Sequence, residues 1–382
     1  DIPSHPDYIG CVPTWLDPLD EIAPEELDTP DPCSFTVPLL TLDVPRQVVL
    51  DKYYALLYNN INPDFMAAIP EVLTFMRSDI ALSVFCPEGW HGIKGLPPLH
   101  LDFNDELPKK VRTHMRPVKP DLLVNAKNEF DRLCKYMYVP STSNITSPLV
   151  IAPKPTPPGV RFCGSYTIPN KHIIFQQNYI PHVLTELTKA AHAKFFHDFD
   201  MTHAFHQIIL DEATSRILAV MTPWGVVQPK YMPEGISPAS GILNSIMTEI
   251  FKSELDHAIV IFDNFLVLNE SYRDTYNKLV TFITICSERN VLLGMPKSKI
   301  GYPEAVFFGY KVCNNTYSLT QARKDYINSL AMPTTLKQTQ AFLGATIFLS
   351  NNTVNYAQLA APINKMTTKG FSFKKEDWDQ DI

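Results

Sequence analysis

The chain has 382 residues, 45% of them hydrophobic, which is an ordinary globular composition with enough length for two or three domains or subdomains. No apolar run approaches the roughly 20 residues that cross a bilayer, and seven scattered cysteines without CxxC spacing argue against a zinc site or a disulfide framework and fit a reducing, intracellular compartment. The net charge of −7 is uneven: residues 1–106 carry 18 Asp and Glu against 4 Lys and Arg, whereas 107–382 carry 22 against 29, so an acidic total still permits a nucleic-acid partner for the larger part.

The sequence opens at Asp1 rather than Met and reads as a processed or partial product, with no basic segment leading into an apolar stretch. Residues 1–45 hold nine Pro and ten acids but no Lys or Arg, the composition of an extended arm that gains order only against another surface. From Arg46 to Phe85 the apolar residues follow helical spacing, interrupted at Pro63 and Pro70. A basic, Pro-punctuated link from Lys109 to Lys119 precedes a helix predicted at 120–138. Residues 147–168 alternate as paired strands do, around a turn at Thr156-Pro157-Pro158-Gly159. Residues 194–210 read as a strand followed by a helix. The clearest helix spans 237–254, with Ser237 as a candidate cap, Pro238 at its first position, and Ile242, Leu243, Ile246, Met247 and Ile250 on one face. Next come two four-residue apolar runs around Asp263-Asn264, a strong hairpin signal. An acid at such a tip is placed to hold a metal, yet Asp-Asn is also simply good turn chemistry. A helix at 272–290, strands near 306–312 and 316–319, and helices at 320–330 and 335–349 complete the pattern. The last opens with a capping-box spacing, Thr335 to Gln338. Strands and helices mix without regular alternation, so the class is α+β.

Three segments then lie in an informative order. They are the strand Phe196-His-Asp-Phe-Asp200 leading into Phe205-His206-Gln207, the turn Met232-Pro-Glu-Gly235-Ile-Ser, and the Asp263-Asn264 hairpin. Together they resemble motifs A, B and C of reverse transcriptases, specifically those of gypsy-type LTR retrotransposons. Phe307-Phe308-Gly309-Tyr310 resembles the primer grip. Met332-Pro-Thr-Thr, Ala341-Phe-Leu-Gly344 and Leu359-Ala-Ala-Pro362 resemble the thumb and connection, and Ser147 to Lys154 with Arg161 resembles the fingers. The resemblance runs from about 107 to 378 and stops where a ribonuclease H domain would begin. It implies a right-hand polymerase fold, with fingers and palm over 107–319 and a truncated thumb and connection over 320–382. An acidic, Pro-rich arm and helical extension over 1–106 would precede it.

By position, the resemblance makes Asp200, Asp263 and Asn264 the catalytic triple and Asp200 and Asp263 the ligands of Mg²⁺. Two-metal phosphoryl transfer needs several converging carboxylates. Lys154 and Arg161 fall where the fingers meet the triphosphate, Phe205 where an aromatic excludes a ribose 2′-hydroxyl, and Gly235 at the nucleotide-side turn. Phe308, Gly309 and Tyr310 would meet the primer. Read without the family, Lys154 is an ordinary loop lysine, Phe205 a core aromatic and Gly309-Tyr310 a tight turn. Asp198 is either a spare ligand or, as its position favours, a solvated acid. Several positions depart from the family: Asn264 replaces a carboxylate, Glu234 adds one beside the nucleotide, and Ser165 and Thr167 replace an Asp and an Arg. Within 347–353 the family's aromatic and basic residues are replaced by neutral ones. Losing one charge where two dications meet costs several kcal/mol, on the order of a hundredfold in rate or affinity. The expectation is a retroelement-derived pseudoenzyme, kept in a larger protein assembly as a structural or RNA-binding component, against the alternative of an active RNA-directed DNA polymerase. Either binds RNA or an RNA/DNA hybrid, and neither implies a membrane.

Overall fold

Pro63 and Pro70 set the local structure of the N-terminal third. Helix α1 (Arg46–Asn60) buries Val49, Tyr53 and Leu57, spaced four apart on one face, and stops before Asn62-Pro63. Asn62 then caps α2 (Pro63–Ala68), its side chain accepting from the Asp64 amide at 2.9 Å with Pro63 at the first position. Short helices α3 (Glu71–Met76) and α4 (Asp79–Phe85) follow. The computed structural model describes residues 45–373 except 112, 155–158, 175–177, 179, 314–315, 351–352, 369 and 372. The acidic arm and the Thr156-Pro157-Pro158 turn lie outside the described residues.

Helix α5 (Leu123–Cys134) precedes β1 (Tyr138–Pro140), β2 (Ser147–Pro153) and β3 (Val160–Gly164). After α6 (Thr167–His172) and α7 (Val183–Leu187) come β4 (Phe195–Asp200), α8 (Glu212–Ile217), β5 (Val220–Thr222) and β6 (Gly225–Pro229). Helix α9 (Ala239–Ile250) leads to β7 (Ala258–Ile261), β8 (Asn264–Asn269), α10 (Tyr272–Arg289) and β9 (Lys299–Tyr302). One sheet has the order β1-β6-β5-β2-β3, in which only the β2–β5 pairing is parallel. The other, β7-β8-β4-β9, is antiparallel throughout.

The second sheet has an apolar face built by alternation. Phe199 and Phe265 are cross-strand partners, both fully buried. They pack with Phe251 around Phe282 of α10, with ring centroids 4.6–5.5 Å apart. Because successive strand residues face opposite ways, Asp198, Asp200 and Asn264 are carried to the other face. His197 crosses this core. Its Nδ1 accepts from the Gly301 amide at 3.1 Å and its Nε2 donates to the Thr275 carbonyl at 2.9 Å, fixing a neutral tautomer.

The described residues divide into two compact units, 45–305 with Cys313, and Val306–Val312 with 316–373. The second unit holds strands from the sheet β10 (Glu304–Phe307), β11 (Tyr310–Cys313) and β12 (Thr316–Leu319), then α11 (Gln321–Ser329), α12 (Leu336–Thr346) and α13 (Tyr356–Lys365). Among the described residues no helix is long and apolar enough to cross a membrane.

Three local expectations are corrected. Ser237 does not cap α9, which starts at Ala239 without a side-chain cap; the Ser237 amide instead donates to Asn170 Oδ1 at 3.0 Å. The segment after Asp200 forms only a 3₁₀ turn, Ala204–Gln207, because Gln207 is drawn inward by backbone partners. The capping box at Thr335 is half formed. Thr335 accepts from the Gln338 amide at 3.2 Å, but the Gln338 side chain serves the Thr334 amide instead of that of Thr335.

Candidate polymerase site

Strand pairing puts the central residues together. Asp200 ends β4 opposite Asn264, and Asn264 also pairs with Ile261, so the β7–β8 turn consists of Phe262 and Asp263. The turn expected at Asp263-Asn264 is therefore shifted by one residue, and Asn264 is the first residue of β8. Phe262 sits at φ +56°, a conformation a bulky side chain rarely takes. It is held there by its amide, which donates to Oδ1 of the buried Asn244 on α9 at 3.0 Å. The Asp263 carbonyl accepts from the Met201 amide at 2.9 Å, tying the tip to the residue after Asp200.

The side chains here form a charge cluster with one member neutral. Asn264 Nδ2 donates to Asp263 Oδ1 at 3.0 Å. The amide thus supplies no charge and also occupies an oxygen that a cation would use. Burial pushes the Asp263 carboxyl above its ordinary value, opposed by the turn's backbone amide, the Lys297 charge and the Asn264 bond. Asp198 is half-buried, less solvated than expected from its position. Burial first, and then the neighbouring Asp200, push its carboxyl up to about 7, while Lys299, its register partner on β9, lowers it. Asp200 and Asp263 are two hard oxygen donors suited to a divalent cation. Among the described residues no group of three or more His, Cys, Asp or Glu converges on such a site. The β4–β8 end therefore offers two carboxylates and one amide.

Lys297 is the residue that motif reasoning missed. It ends a 3₁₀ turn, Met295–Lys297, and brings Nζ within 3.9 Å of Asp200 Oδ2. Its only sequence signal is a lysine just ahead of the β9 strand. Gln207 has no role in the motif pattern either, yet it is fully buried. Its amide nitrogen donates to the carbonyls of Thr202 (2.7 Å) and Leu292 (2.9 Å), and its oxygen accepts from the Leu292 amide (2.8 Å). These bonds clamp the loop after Asp200 onto the segment that leads to Lys297.

The remaining expected residues lie on other elements. Phe205 is half-buried and packs against the core, while Gly235 has φ +95°, which a side chain would strain. The Gly235 carbonyl accepts from Asn170 Nδ2 at 2.9 Å. Arg161 lies on β3 opposite Ala152, and the Lys154 amide bonds the Gly159 carbonyl at 3.0 Å, so both stand at the turn end of the β2–β3 hairpin. His203, three residues after Asp200, is held neutral first by burial, then by His206, Arg132 and the Lys154 charge. His206 is pushed down to about 3, chiefly by burial. Phe308 (φ +48°) and Gly309 (φ +78°) form the β10–β11 turn. Tyr310 beyond them is buried edge-on against Tyr317 at 5.9 Å within the second unit.

Residues 163–345 match the family model described as reverse transcriptase (RNA-dependent DNA polymerase). The chain is 24% identical over 318 residues to the retrovirus-related Pol polyprotein from transposon opus of Drosophila melanogaster, covering 81% of this chain and 32% of that protein. It is 27% identical to the corresponding polyprotein from transposon 297 of the same organism, covering 60% of this chain and 22% of that one. It is 25% identical to the enzymatic polyprotein of Cauliflower mosaic virus, strain NY8153, covering 57% of this chain and 32% of that protein. The chain thus spans about a third or less of these relatives. Among solved structures, a foamy viral protease-reverse transcriptase in complex with dsDNA superposes with TM-score 0.75 at 20% identity, covering 87% of this chain and 68% of that one. Another, in complex with RNA/DNA hybrid, gives TM-score 0.71 at 20% identity, covering 84% and 43%. The fold is therefore the mixed α/β fold of retroviral reverse transcriptases, and residues 163–345 are similar to the reverse transcriptase domain of retrotransposon Pol polyproteins.

Proposed function

We propose that this chain is the reverse transcriptase region of a gypsy-type LTR retrotransposon polyprotein whose polymerase site is impaired, and that it acts as a nucleic-acid-binding component of a larger assembly. Fingers and palm take 107–319, thumb and connection 320–382, and the acidic extension 1–106. The observation that carries the reading is Asn264, register partner of Asp200, with its amide donated to Asp263. Mg²⁺ held by Asp200 and Asp263 would supply the positive charge that activates a primer 3′-oxygen and neutralises a triphosphate. Lys154 and Arg161 bind the triphosphate, Phe205 excludes a 2′-hydroxyl, and Gly235 borders the nucleotide. Phe308, Gly309 and Tyr310 grip the primer. With a neutral amide in place of the third carboxylate, the site loses about one charge worth several kcal/mol in a partly dry cleft.

Primer extension on an RNA template with Mg²⁺ or Mn²⁺, run beside hybrid binding, tests this. Binding with little or no extension is expected; extension at the pace of ordinary polymerases, about 1–100 s⁻¹, overturns it. The competing reading, an active RNA-directed DNA polymerase, is favoured by the retention of Asp200 and Asp263 and by Lys297 beside them.

A further inference from the structure

Helix α5 and the loop after Asp200 each bring to one cluster a buried nitrogen that no described protein group satisfies. On α5, Glu129 and Arg132 stand one turn apart, and Glu129 is buried. Arg132 Nε donates to Glu129 Oε2 at 2.7 Å and Nη2 donates to Oε1 at 2.6 Å, so both carboxylate oxygens are taken. The third guanidinium nitrogen, Nη1, is buried and has no hydrogen-bond partner among the described residues. The loop turns at His203, whose φ of +45° is a left-handed conformation uncommon outside glycine. Its Nε2 is likewise buried without a partner among the described residues. The His203 ring stacks on His206 at 5.5 Å and meets Trp90 edge-on at 6.3 Å. His206 Nδ1 lies 3.0 Å from the Tyr136 hydroxyl, and the Tyr136 and Trp90 rings are 5.3 Å apart. The Trp90 ring nitrogen is already committed to the His206 carbonyl at 2.8 Å.

Charge decides what such a cluster takes. The charges acting on His203 come from Arg132 and Lys154, both positive, and Arg132 acts on His206 as well. Glu129 could balance that field, but its oxygens face Nε and Nη2 and not Nη1. A neutral imidazole with its proton on Nε2 and the guanidinium at Nη1 are both donors. Two buried donors in a positive field call for an acceptor that carries negative charge. A water molecule would accept both bonds but would leave the charge unanswered. Size selects a monatomic ion: ring centroids 5.3–6.3 Å apart leave little space for a phosphate or a sulfate.

We propose that Arg132 Nη1 and His203 Nε2 together seat a monatomic, monovalent anion of the halide class, which fastens the loop after Asp200 to helix α5. The site uses none of the residues assigned to polymerisation and stands whether or not the chain extends a primer. The test uses crystals of the full chain grown with bromide. Beside it, thermal unfolding of the same protein is compared in sodium bromide and sodium gluconate at an equal ionic strength of about 0.15 M. An anomalous bromide peak is expected in contact with both nitrogens. The variants are His203→Asn, which suits the left-handed backbone, and Arg132→Lys, which keeps a charge beside Glu129 and removes Nη1. Each should abolish the peak. The bromide-minus-gluconate difference in melting midpoint should be about 2–4 °C more positive in wild type than in either variant. Ordered water bridging the two nitrogens, or a peak only elsewhere, overturns the proposal. A peak whose midpoint difference is equal in wild type and variants marks an adventitious ion only and overturns it too. If one variant fails to fold, the other variant and the wild-type bromide map decide.

Discussion

At the scale of single residues, the site depends on side chains that satisfy backbone groups as much as on those that face the reaction. Gln207 makes three buried backbone bonds between the loop after Asp200 and the segment before Lys297. Replacing it with leucine keeps the volume and orphans the Leu292 amide and the Thr202 carbonyl, each costing about 1–3 kcal/mol. Gln207→Leu should therefore lower the urea unfolding free energy by about 3 kcal/mol; a loss under 1 kcal/mol would show that the loop relaxes to water. Asp263 was legible in the sequence because apolar runs bracket it. Which two residues make the turn was not, since the register is set by the Ile261–Asn264 pairing and by Asn244 holding Phe262. Asp198 was misjudged for a related reason. Its neighbours Leu266 and Lys299 come from strands distant in sequence and leave it half-buried.

At the scale of elements, His197 joins β4 to α10 and β9 as a neutral ring bonded at both nitrogens. Burial lowers its pKa from 6.5 to about 4. As pH falls, the unfolded chain takes up this proton first, so the contribution to stability is complete above about 6.5 and is lost as pH drops toward 4. The loss amounts to about 3 kcal/mol at most. Asp198, with its carboxyl pushed up to about 7, acts in the opposite sense, so the measurement is a difference. Between pH 7 and 4.5, wild type should lose more unfolding free energy than His197→Gln, although the variant starts less stable. Parallel pH curves would mean that the ring is not held neutral. Element types were largely readable, and helix breaks at Pro63 and Pro70 fall where proline sterics put them. The failures, at Ser237 and after Asp200, come where tertiary partners take the backbone groups a helix would have used, Asn170 at the Ser237 amide and the Leu292 carbonyl at the Thr202 amide.

At the scale of the whole chain, charge is the property composition reveals and hides at once. The ten acids of residues 1–45 stand against a surplus of basic residues beyond 107. A chain beginning at Pro45 should bind RNA/DNA hybrid several-fold more tightly at about 50 mM salt, with the gain gone near 0.5 M. Unchanged affinity would show that the arm's charge does not reach the nucleic acid. The fold was legible because several motif blocks stand in order. The electrostatics were only partly so, because Lys297 meets Asp200 through folding and belongs to no quoted motif. The central claim is that one missing carboxylate limits the polymerase site. It is tested most directly by single-turnover nucleotide incorporation on an RNA template with Mg²⁺, comparing wild type with Asn264→Asp. An increase on the order of a hundredfold in the variant is predicted. Equal rates in the two proteins, whether fast or absent, would contradict it.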